Sequence, residues 1–119
     1  MAILTIEQSG GGSQDNVIIM NLEGEIDESN QHELEARLQL FLGDDLTVNV
    51  VFNLSNLDYM NSGVIGLFVS YHEQFSAMGK SFVFSSSNED VFSILELVGV
   101  PTVIDCFDSD EEACLSFEQ

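Results

Sequence analysis

The residues able to do chemistry are a serine-centred stretch, two histidines, two cysteines and a few carboxylate pairs. The stretch Asn53-Leu-Ser-Asn-Leu-Asp-Tyr-Met-Asn-Ser-Gly-Val-Ile-Gly66 runs from an apolar segment through polar residues into a helix start. Ser62 falls at or just before the first helical turn, where free backbone N–H groups and the positive dipole end favour an anion. A phosphate on Ser62 would add about −1.5 to −2 charges and strong acceptor oxygens at that point. The same position also suits a plain N-cap. His32 and His72 lie in helical patterns, and neither has an Asp or Cys at a metal or triad spacing. His72 borders an apolar face and reads as a packed residue. Asp44-Asp45 and Glu111-Glu112 stand at turns or helix starts, where acids are ordinary. There is no Gly-x-Ser-x-Gly elbow. The expectation is a protein that is not an enzyme and needs no cofactor or metal.

Composition narrows the partners. The 119 residues carry 21 acids and two bases, Arg37 and Lys80, for a formal charge of −19. Hydrophobic residues make up 45%, too many for an acidic disordered tail. Charged residues are only 19%, below the roughly 25% of ordinary domains, so the anomaly is missing cations. Two cations cannot neutralise a nucleic-acid backbone or hold the protein to an anionic membrane. A triphosphate site is disfavoured too, since no Walker-type Gly-Lys-Ser is present. A protein partner with a basic face fits better. Generic solubility or adaptation to salt would give the same composition. No basic leader and no apolar run near 20 residues is seen, so a cytoplasmic location is expected. Cys106 and Cys114 then read as core thiols.

The positioning elements follow from periodicity. Ala2 to Gln8 and Val17 to Leu22 read as a hairpin, with Ser9 to Asp15 as its flexible tip. The glycines in that tip lack the helix or lysine of a phosphate loop. Asn30 and Glu33 suggest a capping box, followed by Leu34, Leu38, Phe41 and Leu42 on one helical face, ending at Gly43. Thr47 to Leu54 is nearly continuous in apolar content, as a central strand covered on both faces would be. Ser55 to Asn61 is read as a loop. A helix from about Ser62 to Met78 presents Val64, Phe68, Tyr71, Phe75 and Met78, with Gly79 after its end. Ser81 to Ser85 is a strand. Asn88 to Val98 is a helix with Val91, Ile94, Leu95 and Val98 inward, stopped by Gly99 and Pro101. Thr102 to Cys106 is a last strand. Ser109 and Glu112 cap a final helix that turns Ala113, Cys114 and Phe117 inward. The order β-β-α-β-α-β-α-β-α predicts one α/β domain over residues 1–119. Its mixed, mostly parallel sheet has four to five strands and about four helices.

The serine stretch resembles the signature of the STAS family, the anti-sigma-factor antagonists and related domains of anion transporters. Asn53-Leu54-Ser55, Tyr59-Met60, Asn61-Ser62 and Gly63-Val64-Ile65-Gly66 stand in the family's order. Gly24-Glu25-Ile26-Asp27 is similar to the Gly-Glu-Leu-Asp that ends the family's second strand. Leu95 to Val100 resembles its late Leu-x-x-x-Gly-Leu segment. Asn53 and Asn61 stand where the family usually has aspartate.

The resemblance implies a switch. In the bacterial antagonists an anti-sigma-factor serine kinase phosphorylates the serine matching Ser62, and a PP2C-like phosphatase restores it. The unphosphorylated form binds the kinase and frees the sigma factor; the phosphorylated form is released. By that likeness Asp27, Asp58, Tyr59, Met60, Asn61, Ser62, Gly63 and Val64 would form the partner-binding surface. Asp27 would equally serve to cap the first helix. The alternative implied by the same family is a non-switching STAS scaffold subunit of a stressosome-like or lipid-transport complex.

Overall fold

A computed structural model describes residues 2–11, 14–45 and 49–118. The sheet contains β1 (Leu4–Gly11), β2 (Gln14–Ile26), β3 (Asn49–Met60), β4 (Ser81–Ser85) and β5 (Cys106–Phe107). The helices are α1 (Gln31–Gly43), α2 (Ser62–Ala77), α3 (Glu89–Leu97) and α4 (Asp110–Leu115). Strand order is β1-β2-β3-β4-β5, with β1 antiparallel to β2 and every later pair parallel. This is the single mixed α/β sheet that the alternation of elements predicts.

The strands sort their side chains to two faces, as a period of two requires. Met20, Leu22, Val50, Phe52, Phe82 and Phe84 enter a large core with α1, α2 and α3. Val17, Ile19, Val51 and Val83 meet Ala113 and Cys114 of α4 on the other face, with Phe117 packed at its margin. Val50, Val51 and Phe52 are therefore all buried, which explains the apolar run of the central strand. Phe68 of α2 stands edge-on to Phe52 and Phe84, at centroid separations of 5.4 and 4.9 Å. Such T-shaped pairs fix α2 over the middle of the sheet.

β3 is longer than its sequence suggests. Ser55 to Met60 continues the strand instead of forming a loop. Its register with β2 slips by one residue between Asn53 and Asn56 and again between Leu57 and Tyr59. Each bulge inserts an unpaired residue and turns the side chains beyond it toward new directions. Leu54, Leu57 and Met60 thereby all stay buried while Asp58 and Tyr59 remain exposed. The hairpin is longer too: β1 reaches Gly11 and pairs with Gln14, and residues 12 and 13 of the expected tip lie outside the described residues. So do Thr47 and Val48 at the expected start of β3. Near the other end of the hairpin, Gly24 has φ +108°, and the Ile3 carbonyl occupies the space a Cβ would need. Only glycine fits that close approach.

Several other boundaries and faces are corrected. Thr102 to Cys106 is not a strand: Pro101 sits in a 3-10 turn over Val100–Thr102, and only Cys106–Phe107 pair with β4. Met78 is 60% exposed, beyond the last turn of α2. On α3, Val91 and Leu95 are buried, whereas Ile94 and Val98 face outward. Asn30 stands at the N-cap of α1 without making a side-chain cap bond. Its amide instead accepts from Asp27 N at 3.0 Å and donates to Glu25 O at 2.9 Å, tying down the turn before the helix. The final helix agrees with expectation, since Ser109 Oγ accepts from Glu112 N at 3.1 Å.

Candidate functional site

The parallel strands β2 and β3 end side by side, Ile26 opposite Met60, and α1 and α2 begin just beyond them. Asn61 N donates to Ile26 O at 3.3 Å, so the two strand ends are stitched at this edge. Crevices outside the carboxyl ends of parallel strands are the usual ligand side of open α/β sheets.

Asn61, not Ser62, is the N-cap of α2. Its Oδ1 accepts from Val64 N at 2.9 Å, and its backbone carbonyl accepts from Ile65 N at 3.2 Å. Ser62 is the first helical residue and is exposed. The capping duty being filled by its neighbour, the Ser62 hydroxyl is left on the surface of the first turn. Gly63 is exposed as well; a Cβ there would stand 3.5 Å from Asn61 Oδ1 and 4.0 Å from Gln31 Oε1. The first residue of α1 thus comes close to the first turn of α2.

Asn61 has a second bond that sequence reading missed. Its Nδ2 donates to Glu28 Oε2 at 2.8 Å, joining the turn before α1 to the start of α2. An aspartate at 61 could cap the helix but could not donate to Glu28. Asn53 repeats the arrangement farther back along β3. Its Nδ2 donates to Asp110 Oδ1 at 2.9 Å, and its Oδ1 accepts from Ser55 N at 2.9 Å and Ser55 Oγ at 2.7 Å. Ser85 Oγ donates to the same Asp110 oxygen at 2.5 Å. Both asparagines at positions where aspartate was expected therefore hold a carboxylate. The partners lie 33 and 57 residues apart in the chain, so no local pattern announces these bonds.

Among the described residues no hydrogen bond joins Asp27 to Ser62. Its Oδ1 accepts from Ser29 N at 2.8 Å and Ser29 Oγ at 2.5 Å, and these bonds hold its carboxyl below the usual aspartate range. Its backbone carbonyl accepts from the amides of Asn30 and Gln31, so it shapes the turn that starts α1. Asp58 and Tyr59 present themselves outward on the bulged end of β3. Met60 and Val64 are buried and support this surface from beneath.

Elsewhere, a cleft of about 310 Å³ opens beside Ser86, Glu89, Cys106 and Asp108. Burial and the nearby Asp105 push the Cys106 thiol up to about 11, which keeps it protonated and a poor nucleophile at neutral pH. Neither Cys106 nor Cys114 is in a disulfide. His72 packs edge-on against Phe82 at 5.1 Å, and burial lowers its pKa. Among the described residues no group of three His, Cys, Asp or Glu side chains is placed to hold a metal. None of the described helices is long and apolar enough to cross a membrane.

The family model of the STAS domain matches residues 13–113. The chain belongs to the STAS family. Solved STAS structures are closely superposable on it. An anti-sigma factor antagonist from Mycobacterium paratuberculosis is 16% identical with a TM-score of 0.82, covering 100% of this chain and 96% of that one. The antagonist SpoIIAA in its unphosphorylated form is 16% identical with a TM-score of 0.76, covering 98% and 96%. The phosphorylated form of SpoIIAA, a Bacillus cell fate determinant, is 14% identical with a TM-score of 0.68, covering 98% and 100%. At these identities the likeness establishes the fold, and the chain spans nearly the full length of each.

Proposed function

We propose that this STAS protein is an anti-sigma factor antagonist switched by phosphorylation of Ser62. Unphosphorylated, it binds an anti-sigma-factor serine kinase in the cytoplasm through the exposed edge formed by Asp27, Asp58, Tyr59, Asn61, Ser62 and Gly63. Phosphorylated, it is released, and a PP2C-like phosphatase resets it. It is the substrate of that chemistry and not a catalyst. The observation that carries the reading is the exposed Ser62 on the first turn of α2, freed from capping by Asn61. The existence of SpoIIAA structures with and without phosphate supports it by likeness.

The physics is consistent. A kinase must reach the hydroxyl, and Ser62 lies on an open surface. The added phosphate would stand near Glu28, which Asn61 already engages, while Lys80 is consumed elsewhere in the fold. First-turn amides would hold one side of the phosphate, and neither basic residue of the chain lies in the first turn of α1 or α2. The new charge and bulk then face the partner and break a close interface.

The test is incubation with ATP and a candidate anti-sigma-factor serine kinase from the same genome. Mass spectrometry should find one phosphate on Ser62. ATP should dissolve the complex of the wild-type protein but not that of Ser62→Ala, and Ser62→Asp should weaken binding at least tenfold. A complex that persists with ATP and ignores both substitutions would instead identify a constitutive scaffold.

A further inference from the structure

A second surface lies on the C-terminal half of α3. Ile94, Leu97 and Val98 follow at i, i+3 and i+4, so they share one helix face. Leu97 is 86% exposed and Val98 54%, and Val103 is also exposed just beyond the 3-10 turn. Val91 and Leu95 already fasten the helix to the core, so this apolar stripe is surplus to folding. Isolated exposed leucines are ordinary, but an aligned set on a helix face marks an interaction site.

The surroundings specify what covers it. Asp90, four residues before Ile94, continues the stripe with an exposed acid, and the first turn of α3 also carries exposed Glu89. The last turn of α3 contains no basic residue, leaving the negative end of its dipole uncompensated. Beyond Lys80 the sequence holds no lysine or arginine at all. A second copy, itself at −19, is repelled by so acidic a chain, and so is an anionic membrane. We infer that the α3 stripe docks an amphipathic, lysine- or arginine-flanked apolar helix of another protein. The apolar contact supplies affinity, and Asp90 with the chain's excess of acid supplies selection and rapid encounter. This surface does not include Ser62.

The probe is a designed helical peptide of about five turns with one leucine face and lysines on either side. Two controls replace its lysines with glutamates or its leucines with serines. Amide shifts of the labelled protein should concentrate at residues 90–103 with the leucine–lysine peptide. Both controls should bind at least tenfold more weakly, as should the peptide to the double variant Leu97→Ser/Val98→Ser. Ser62→Ala should leave this binding unchanged, so failure of the switch and failure of the α3 site are distinguishable. The inference is overturned if shifts spread over the acidic surface and ignore the double variant. It is equally overturned if light scattering shows a dimer that Leu97→Ser dissolves, or if neutral phosphatidylcholine vesicles bind the stripe.

Discussion

The C-terminal end of α1 and the N-terminal end of α2 treat charge in opposite ways. At the first, the ammonium of Lys80 is buried and donates to the carbonyls of Phe41, Leu42 and Asp44 at 2.7, 2.9 and 2.7 Å. Its three protons meet carbonyls at the end of the helix, where intrahelical partners run out and the dipole is negative. At the second, Asn61 caps the helix and also holds Glu28, with no cation involved. One of only two basic side chains is thus consumed inside the fold, and the functional edge is organised by an amide. A missing cation therefore changes what stands beside the serine. Asparagine in place of aspartate keeps the cap and avoids setting two carboxylates against each other.

Breaking the cationic end should have the largest effect. Lys80→Met keeps the apolar stem but leaves three carbonyls without their donor. Loss of charged hydrogen bonds at a buried position predicts destabilisation of about 3 kcal/mol. Urea unfolding should show a lower midpoint at an unchanged slope. If the midpoint stays put, the ammonium is not what holds the end of α1.

The amide pairs should break in order of burial. Asn53→Asp sets a carboxylate against Asp110 in a partly buried position and should cost about 2 kcal/mol. Asp110→Asn should restore most of that loss in the double variant. Asn61→Asp retains the cap but opposes Glu28 at the surface, where screening holds the cost to about 0.5–1 kcal/mol. Glu28→Gln should rescue it, and added salt should shrink the deficit. Equal penalties at the two sites would show that burial does not separate them.

How much of this was readable depended on the distance over which each feature is decided. The serine stretch, its helix start and the alternation of strands with helices are local patterns, and the fold emerges from them. The bulged end of β3 was hidden because Leu54, Leu57 and Met60 repeat every three residues, a spacing that neither strand nor helix periodicity explains alone. On α3 nearly every position of one half of the helix is apolar, so the pattern could not tell the face meeting the sheet from the one meeting water. The pairs Asn61–Glu28 and Asn53–Asp110 span 33 and 57 residues of chain, and only the folded register brings them together. Lys80 is the extreme case. A single lysine between Gly79 and a strand looks exposed until α1 is packed against α2.

The smallest effect sharpens the contrast from the side of protonation. His72 is an added cation in waiting, but burial lowers its pKa, and the nearby Asp105 and Glu73 only partly oppose this. The folded state therefore prefers neutral imidazole. As pH falls below about 6.5, the unfolded chain takes up the proton first and stability drops. The loss continues until pH passes the lower folded pKa and then levels off. Replacing His72 by glutamine should flatten this part of the stability–pH profile. Asp27, whose pKa is lowered by Ser29, should act further down: its contribution is present above the unfolded carboxylate pKa and fades as pH falls through the folded one. A profile in which wild-type stability rises as pH falls from about 6.5 to about 5.5 would mean that charging His72 is welcomed. The acidic surface would then reach this interior position, and the sharp division between a buried cation at Lys80 and amide-held carboxylates would fail.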